Sequence, residues 1–160
     1  MHIKKLIALF LVLFALCSCS ATTETKIMKT KWYTDDINNT VRTVAHFGTD
    51  GKLTVNYVLL DEARAERVGL ADIQNNQDEY YFYDYDSSLP EDIAEIADDE
   101  CAFVTYSTPE DYKNKENGAI TFYHYEGDNL VVNSTVCLPV DEALSLELDK
   151  KIGQNKKLTD

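Results

Sequence analysis

Basic residues are scarce in this sequence: 15 lysines and arginines stand against 28 aspartates and glutamates, a formal charge of −13. Nucleic-acid phosphates demand a basic surface, so this balance excludes a nucleic-acid binder. It also argues against adhesion of the protein surface to anionic lipid headgroups. Six glycines and three prolines are too few for a flexible linker, and no low-complexity segment divides the chain. Long apolar runs are missing as well. The longest covers residues 6–16, eleven residues where a membrane-spanning helix needs about 20.

Catalytic signatures are equally thin. No G-x-S-x-G elbow, phosphate loop or H-E-x-x-H motif is present. Of the three histidines, His2 belongs to the N-terminal segment, while His46 and His124 sit inside apolar and aromatic strand patterns, where structural histidines occur. Their spacing selects no metal. The acidic stretch "DYDSSLPED" (84–92) invites a calcium reading, but an EF-hand counted from Asp84 would place Leu89 where the loop requires glycine. It reads instead as a solvated loop leading into a helix. Accordingly no catalytic, cofactor or metal site is assigned, and the chain is expected not to be an enzyme.

What is present begins at the N-terminus. Lys4 and Lys5 precede the eleven-residue apolar run, the layout of a secretory signal peptide. "LCSC" (16–19) follows. It resembles the bacterial lipobox, with Leu16 at the aliphatic position and Ser18 at the small one directly before Cys19. Cys17 lacks a small residue before it. The resemblance implies cleavage after Ser18, lipidation of Cys19, and a chain held at the bilayer of a bacterial envelope through its lipid. Because Ser20 is not aspartate, the resemblance favours the outer membrane in a Gram-negative cell. Loss of residues 1–18 from 160 would leave 142 residues, enough for one domain with a core. It would also remove two lysines and no acid, moving the charge from −13 to −15. That acidity serves solubility or, alternatively, steering of a cationic partner.

Cys101 and Cys137 remain in the body of the chain. In an oxidising compartment they are expected to form a disulfide, the alternative being two separate buried thiols. Residues 19–31 read as the lipidated cysteine and a polar tether, residues 32–152 as a single β-rich domain, and residues 153–160 as a flexible tail.

Within the domain, apolar alternation predicts strands over 41–47, 52–60, 79–85, 101–107, 119–125 and 130–138. "GTDG" (48–51) and "EGDN" (126–129) predict hairpin turns. "SLPEDIAEIADD" (88–99) predicts a short helix from its Ser88/Glu91 capping box. Residues 61–73 favour helix but are interrupted by Gly69, and residues 108–116 suit a single helical turn. Residues 143–152 fit either period, as a strand through Leu144, Leu146 and Leu148 or a helix through Leu144, Leu148 and Ile152. The sequons at 38–40 and 133–135 are read as accidental.

These elements predict a mainly β fold, an antiparallel meander forming a small barrel or strongly curved sheet, with one or two short helices. "WY" (32–33) entering the first strand, followed by F-x-x-D-G-K-L over 47–53, resembles small lipocalin-like lipoproteins. The glycine expected two residues before Trp32 is Thr30 instead. Tyrosines are concentrated in the strands. Tyr81, Tyr83 and Tyr85 share one face, opposite Tyr80 and Phe82, and Tyr123 and Tyr125 share another. These rows could line a ligand cavity, form a protein-binding surface, or merely pack across strands. The function expected is a non-enzymatic module that binds an unknown small molecule. The alternative is a protein-interaction lipoprotein, such as an adhesin, an assembly accessory or an inhibitor of a cationic enzyme.

Overall fold

The computed structural model describes Ile27, residues 29–83 and residues 101–159, with backbone alone for Tyr83 and residues 155–159. The expected signal segment, Cys19, most of the tether, Tyr85 and the helix predicted over 88–99 lie outside the described residues.

Apolar alternation becomes eight strands: β1 (Lys31–Asp35), β2 (Val41–Phe47), β3 (Lys52–Leu59), β4 (Gln77–Tyr83), β5 (Cys101–Tyr106), β6 (Ala119–Glu126), β7 (Asn129–Val132) and β8 (Thr135–Pro139). Each runs antiparallel to the next, and β1 pairs with β8, so the meander closes into a barrel of lipocalin-like architecture. Closure sets Trp32 opposite Pro139 and Tyr33 opposite Leu138, and the Val140 amide donates to the Lys31 carbonyl at 2.9 Å. It leaves no open sheet edge. Thr30, standing where the resemblance calls for glycine, does not prevent closure. Its hydroxyl accepts from the Trp32 indole nitrogen at 2.7 Å and donates to the Ile27 carbonyl, which holds the ring inside the barrel.

The stretch 130–138, expected as one strand, is two. Asn133 and Ser134 adopt φ of 46° and 68°, a two-residue turn with both central residues left-handed, and Val132 pairs with Thr135 across it. This is the type I′ geometry that matches strand twist, reached here without the usual glycine. At the β6–β7 turn Gly127 takes φ 62°, so the expected turn there does use glycine. Between β1 and β2 a single carboxylate organises the loop. Asp36 accepts from the backbone amides of Val41 (2.7 Å), Thr40 and Asn38 (3.2 Å), and Asn39 supplies the one positive φ, 50°. These bonds, Val41's above all, hold the Asp36 carboxyl below the usual aspartate range.

Helices fill the longer connections. Helix α1 (Glu62–Val68) is capped by Asp61, whose carboxylate accepts from the Arg64 amide at 2.9 Å, and it ends at Gly69, which turns left-handed with φ 75°. A 3₁₀ turn (Ala71–Asn75) then leads into β4. Helix α2 (Pro109–Asn114) joins β5 to β6, with Thr108 as N-cap and Pro109 in its first turn.

The chain's last helix, α3 (Glu142–Thr159), resolves the ambiguity of residues 143–152. Asp141 caps it by accepting from the Leu144 amide at 2.8 Å. Leu144, Leu148 and Ile152 pack on Val44, Val58 and Tyr33 on the outside of β1–β3, while Leu146 is 68 % exposed. The helical period prevails because β1–β3 present an outer apolar stripe that needs a cover. Helix α3 runs on to Thr159, through the stretch expected to be a flexible tail.

Leu148→Ala should lower the urea-unfolding free energy by about 2–5 kcal/mol. The exposed neighbour Leu146→Ala should change it by under about 0.5 kcal/mol. Equal losses would contradict this packing. Acid should reveal Asp36. A carboxyl whose folded pKa is depressed adds stability that is fully present above the unfolded value of about 3.9, and this is lost as pH falls through the folded value. Asp36→Asn should therefore be less stable than wild type at pH 7, with the difference shrinking as pH drops from about 4 to 2 in parallel urea titrations.

Candidate functional site

Closure gives every strand an inner and an outer row, and the register carries the inner row round the barrel. Trp32 lies opposite Ala45, Ala45 opposite Val55, Leu53 opposite Tyr80, and Phe82 opposite Thr105. Phe103 faces Thr121, Tyr125 faces Leu130, and Leu130 faces Cys137. Aromatic rings fill part of this interior. Phe47 meets Phe82 and Phe103 edge-on at 5.3 Å each, Phe103 contacts Tyr123 at 5.7 Å, and Tyr125 lies 6.2 Å from Tyr123 and 5.9 Å from Trp32. Such geometries suit the quadrupoles of paired rings. The buried Ile27 joins the same cluster.

The rings do not fill the barrel. A cavity of about 410 Å³ remains, walled by Trp32, Phe47, Leu53, Tyr80, Phe103, Leu130 and Val132. Thr105, Thr121, Asn133 and Thr135 also line it, so it opens toward the β7–β8 turn and the β5–β6 connection. An apolar floor under a rim of hydroxyls and an amide, within about 300–1,000 Å³, is the usual composition of a small-molecule site. Among the described residues no lysine, arginine or histidine occupies the inner row. Its one carboxylate is Asp78, opposite Val55, which lies 3.5 Å from the Tyr57 hydroxyl. Burial, and then the charge of Asp78, push the Tyr57 phenol above its ordinary value.

A larger hollow of about 570 Å³ lies between residues 29–32, His46, the β6–β7 turn and the first turns of α3. It lies at the end of the barrel where β1 enters, because the inner-row Trp32 and Tyr125 line it together with Lys29 and α3, and its other lysine is already engaged. Lys31 donates to Ser145 at 2.9 Å and to Asp149 at 2.7 Å. Burial and the neighbouring Lys31 push His46 below its ordinary value, so it is neutral at pH 7. His124 sits elsewhere, 3.4 Å from Glu126. Among the described residues no three His, Cys, Asp or Glu side chains converge as a metal site would require.

The tyrosines divide. Tyr123 and Tyr125 point inward, but Tyr123 is fully buried in the ring cluster rather than lining the cavity. Burial, with Cys101 beside it, pushes the Tyr125 phenol up to about 12. Tyr81 faces outward, opposite Tyr106, and Tyr83 continues its row opposite Val104. Tyr81 stacks on Tyr112 of α2 at 6.0 Å; Lys52 lies 5.3 Å over Tyr81 and Lys115 lies 3.8 Å over Tyr112. Tyr81 is thus packed against α2, with cations already on its ring and on that of Tyr112. The tyrosine that lines the cavity is Tyr80, from the opposite face of the same strand. Alternation separated the two faces of β4 but carried no signal for which one turns inward.

The expected Cys101–Cys137 disulfide is not formed; both are free thiols. They sit on β5 and β8, three strand spacings apart, about 14 Å along a sheet of ~4.8 Å spacing. Even the shorter chord across the curvature exceeds the ~7 Å Cα limit for a bridge. Cys101 is buried, and Cys137 lines the cavity, where burial pushes its thiol up and away from reactivity.

No family model, curated protein or solved structure matches this chain. The geometry of the barrel therefore carries the functional reading. In a chain beginning at Ser20, whose two cysteines are Cys101 and Cys137, two thiols should titrate with a disulfide reagent in non-reducing denaturant, and the intact mass should show no 2 Da deficit. In the native protein both should react slowly, and a deficit would overturn the free-thiol assignment.

Proposed function

We propose that this chain is a bacterial envelope lipoprotein, anchored through lipid on Cys19, whose barrel binds a small apolar molecule without chemical turnover. The observation that carries the binding reading is the partly unfilled interior, about 410 Å³ walled by aromatic and aliphatic side chains. A barrel of eight strands is just wide enough to fill itself with side chains or to hold one small ligand. Small inward residues, Ala45, Thr105 and Thr121, leave the space that bulkier ones would occupy. The anchoring reading is supported by the sequence alone, by the apolar run and the LCSC pattern before Ser20. A protein-interaction role draws on the acidic surface and on Val136 and Leu138, which stand 46 % and 39 % exposed on β8.

Produced as the full chain in a lipoprotein-processing bacterium, the protein should fractionate with membranes and carry a diacylglyceryl mass increment. Cys19→Ser should abolish the increment; an unmodified wild-type protein would defeat the anchoring reading. Binding is read by the emission of Trp32, the sole tryptophan, which lines the cavity. An uncharged apolar fluorophore should quench it with one-to-one stoichiometry, and the cavity-filling Ala45→Phe should weaken that binding at least about tenfold while the circular dichroism spectrum is retained. Binding unchanged in a folded Ala45→Phe would place the ligand elsewhere and defeat the binding reading.

A further inference from the structure

The inner surface of the barrel is chemically one-sided. Its walls are apolar or hydroxyl-bearing, and the only charge that the described inner row presents is the Asp78 carboxylate. Asp78 belongs to the same face of β4 as the cavity-lining Tyr80, two residues up the strand and so about 7 Å nearer the rim. Its one described side-chain partner is the Tyr57 hydroxyl at 3.5 Å, and no lysine or arginine among the described residues pairs with it. The neighbouring Glu79, by contrast, faces outward and is bound to Lys52 at 2.6 Å.

We infer that the cavity takes an apolar amine, with its hydrocarbon body among the rings of Trp32, Phe47 and Phe103 and its ammonium at Asp78 and Tyr57 on the rim. This inference rests on the cavity being the binding site. An ammonium there gains a charge-assisted hydrogen bond to a carboxylate that no lysine or arginine among the described residues engages. The negative faces of the nearby rings favour it further. A carboxylate or phosphate ligand in the same pose would meet no lysine or arginine among the described inner-row residues and would face the like charge of the exposed Asp78. A neutral alcohol gains the apolar burial but not the ion pair. The formal charge of −13 adds a long-range field that draws cations toward the protein.

The test uses decylamine, decanol and decanoate, one chain length with three head groups, each below its aggregation concentration at pH 7. Trp32 emission of the full chain is followed in wild type, Asp78→Asn and Glu79→Gln. Decylamine should bind at least about tenfold tighter than decanol, and decanol tighter than decanoate. Asp78→Asn should bring decylamine to the level of decanol and leave decanol unchanged. Glu79→Gln, which removes an outward charge of the same sign, should preserve the preference. Equal binding of amine and alcohol overturns the inference while leaving the cavity reading intact. So does a preference for decanoate, or an amine preference indifferent to Asp78→Asn. If none of the three perturbs Trp32 in wild type, the cavity reading itself falls with it.

Discussion

The pairing of β1 with β8 is the constraint on which the rest of this molecule depends. Trp32 and Tyr33 meet Pro139 and Leu138, and once that seam exists every strand has both neighbours. A closed sheet must then sort its side chains, because alternate residues have only an inside and an outside to choose between. The inner row is therefore compelled to build a core from Trp32, Phe47, Phe82, Phe103 and Tyr123, whatever else those residues might do on an open sheet. A hydrogen bond from Trp32 to Thr30 and the burial of Ile27 tie the entering chain to that core.

Closure also creates a demand on the outside. The outer faces of β1–β3 carry Tyr33, Val44 and Val58, an apolar stripe. Helix α3 answers it with Leu144, Leu148 and Ile152, and Lys31 pins the same helix through Ser145 and Asp149. A second outer stripe, around β4–β5, is met by α2 through Tyr112, with Lys52 and Lys115 over the rings. Both helices are held by tertiary packing rather than by intrinsic propensity, as is usual for helices of this size.

The same geometry accounts for the chemistry inside. Free thiols on strands three apart cannot meet, so Cys101 and Cys137 act as small apolar side chains in the wall. Rings crowd one part of the barrel, and small residues on β2, β5 and β6 leave the remainder open. Among the described residues no basic side chain enters the inner row, and Lys31, Arg42, Lys52 and Lys151 pair with Asp149, Asp35, Glu79 and Glu147. Among the described residues the inner row thus combines hydrocarbon, hydroxyls, two thiols and one carboxylate, and the proposed amine binding rests on that combination.

By itself, the sequence determined the class of fold and most strand positions, because a period of two in apolar residues is a local property. It determined the Gly127 turn and the end of α1 at Gly69, where a left-handed φ is cheapest without a Cβ. It did not reveal the β7–β8 turn, since Asn133 and Ser134 are polar residues within a run that alternates correctly as one strand. Residues 143–152 satisfied two periods at once, and only the exposed stripe on β1–β3 selected the helix. The face of β4 that turns inward was also undecided, so Tyr80 entered the cavity and Tyr81 the outer surface without any local mark distinguishing them. Alternation defines two faces, but only the long-range pairing of β1 with β8 decides which of them is the inside.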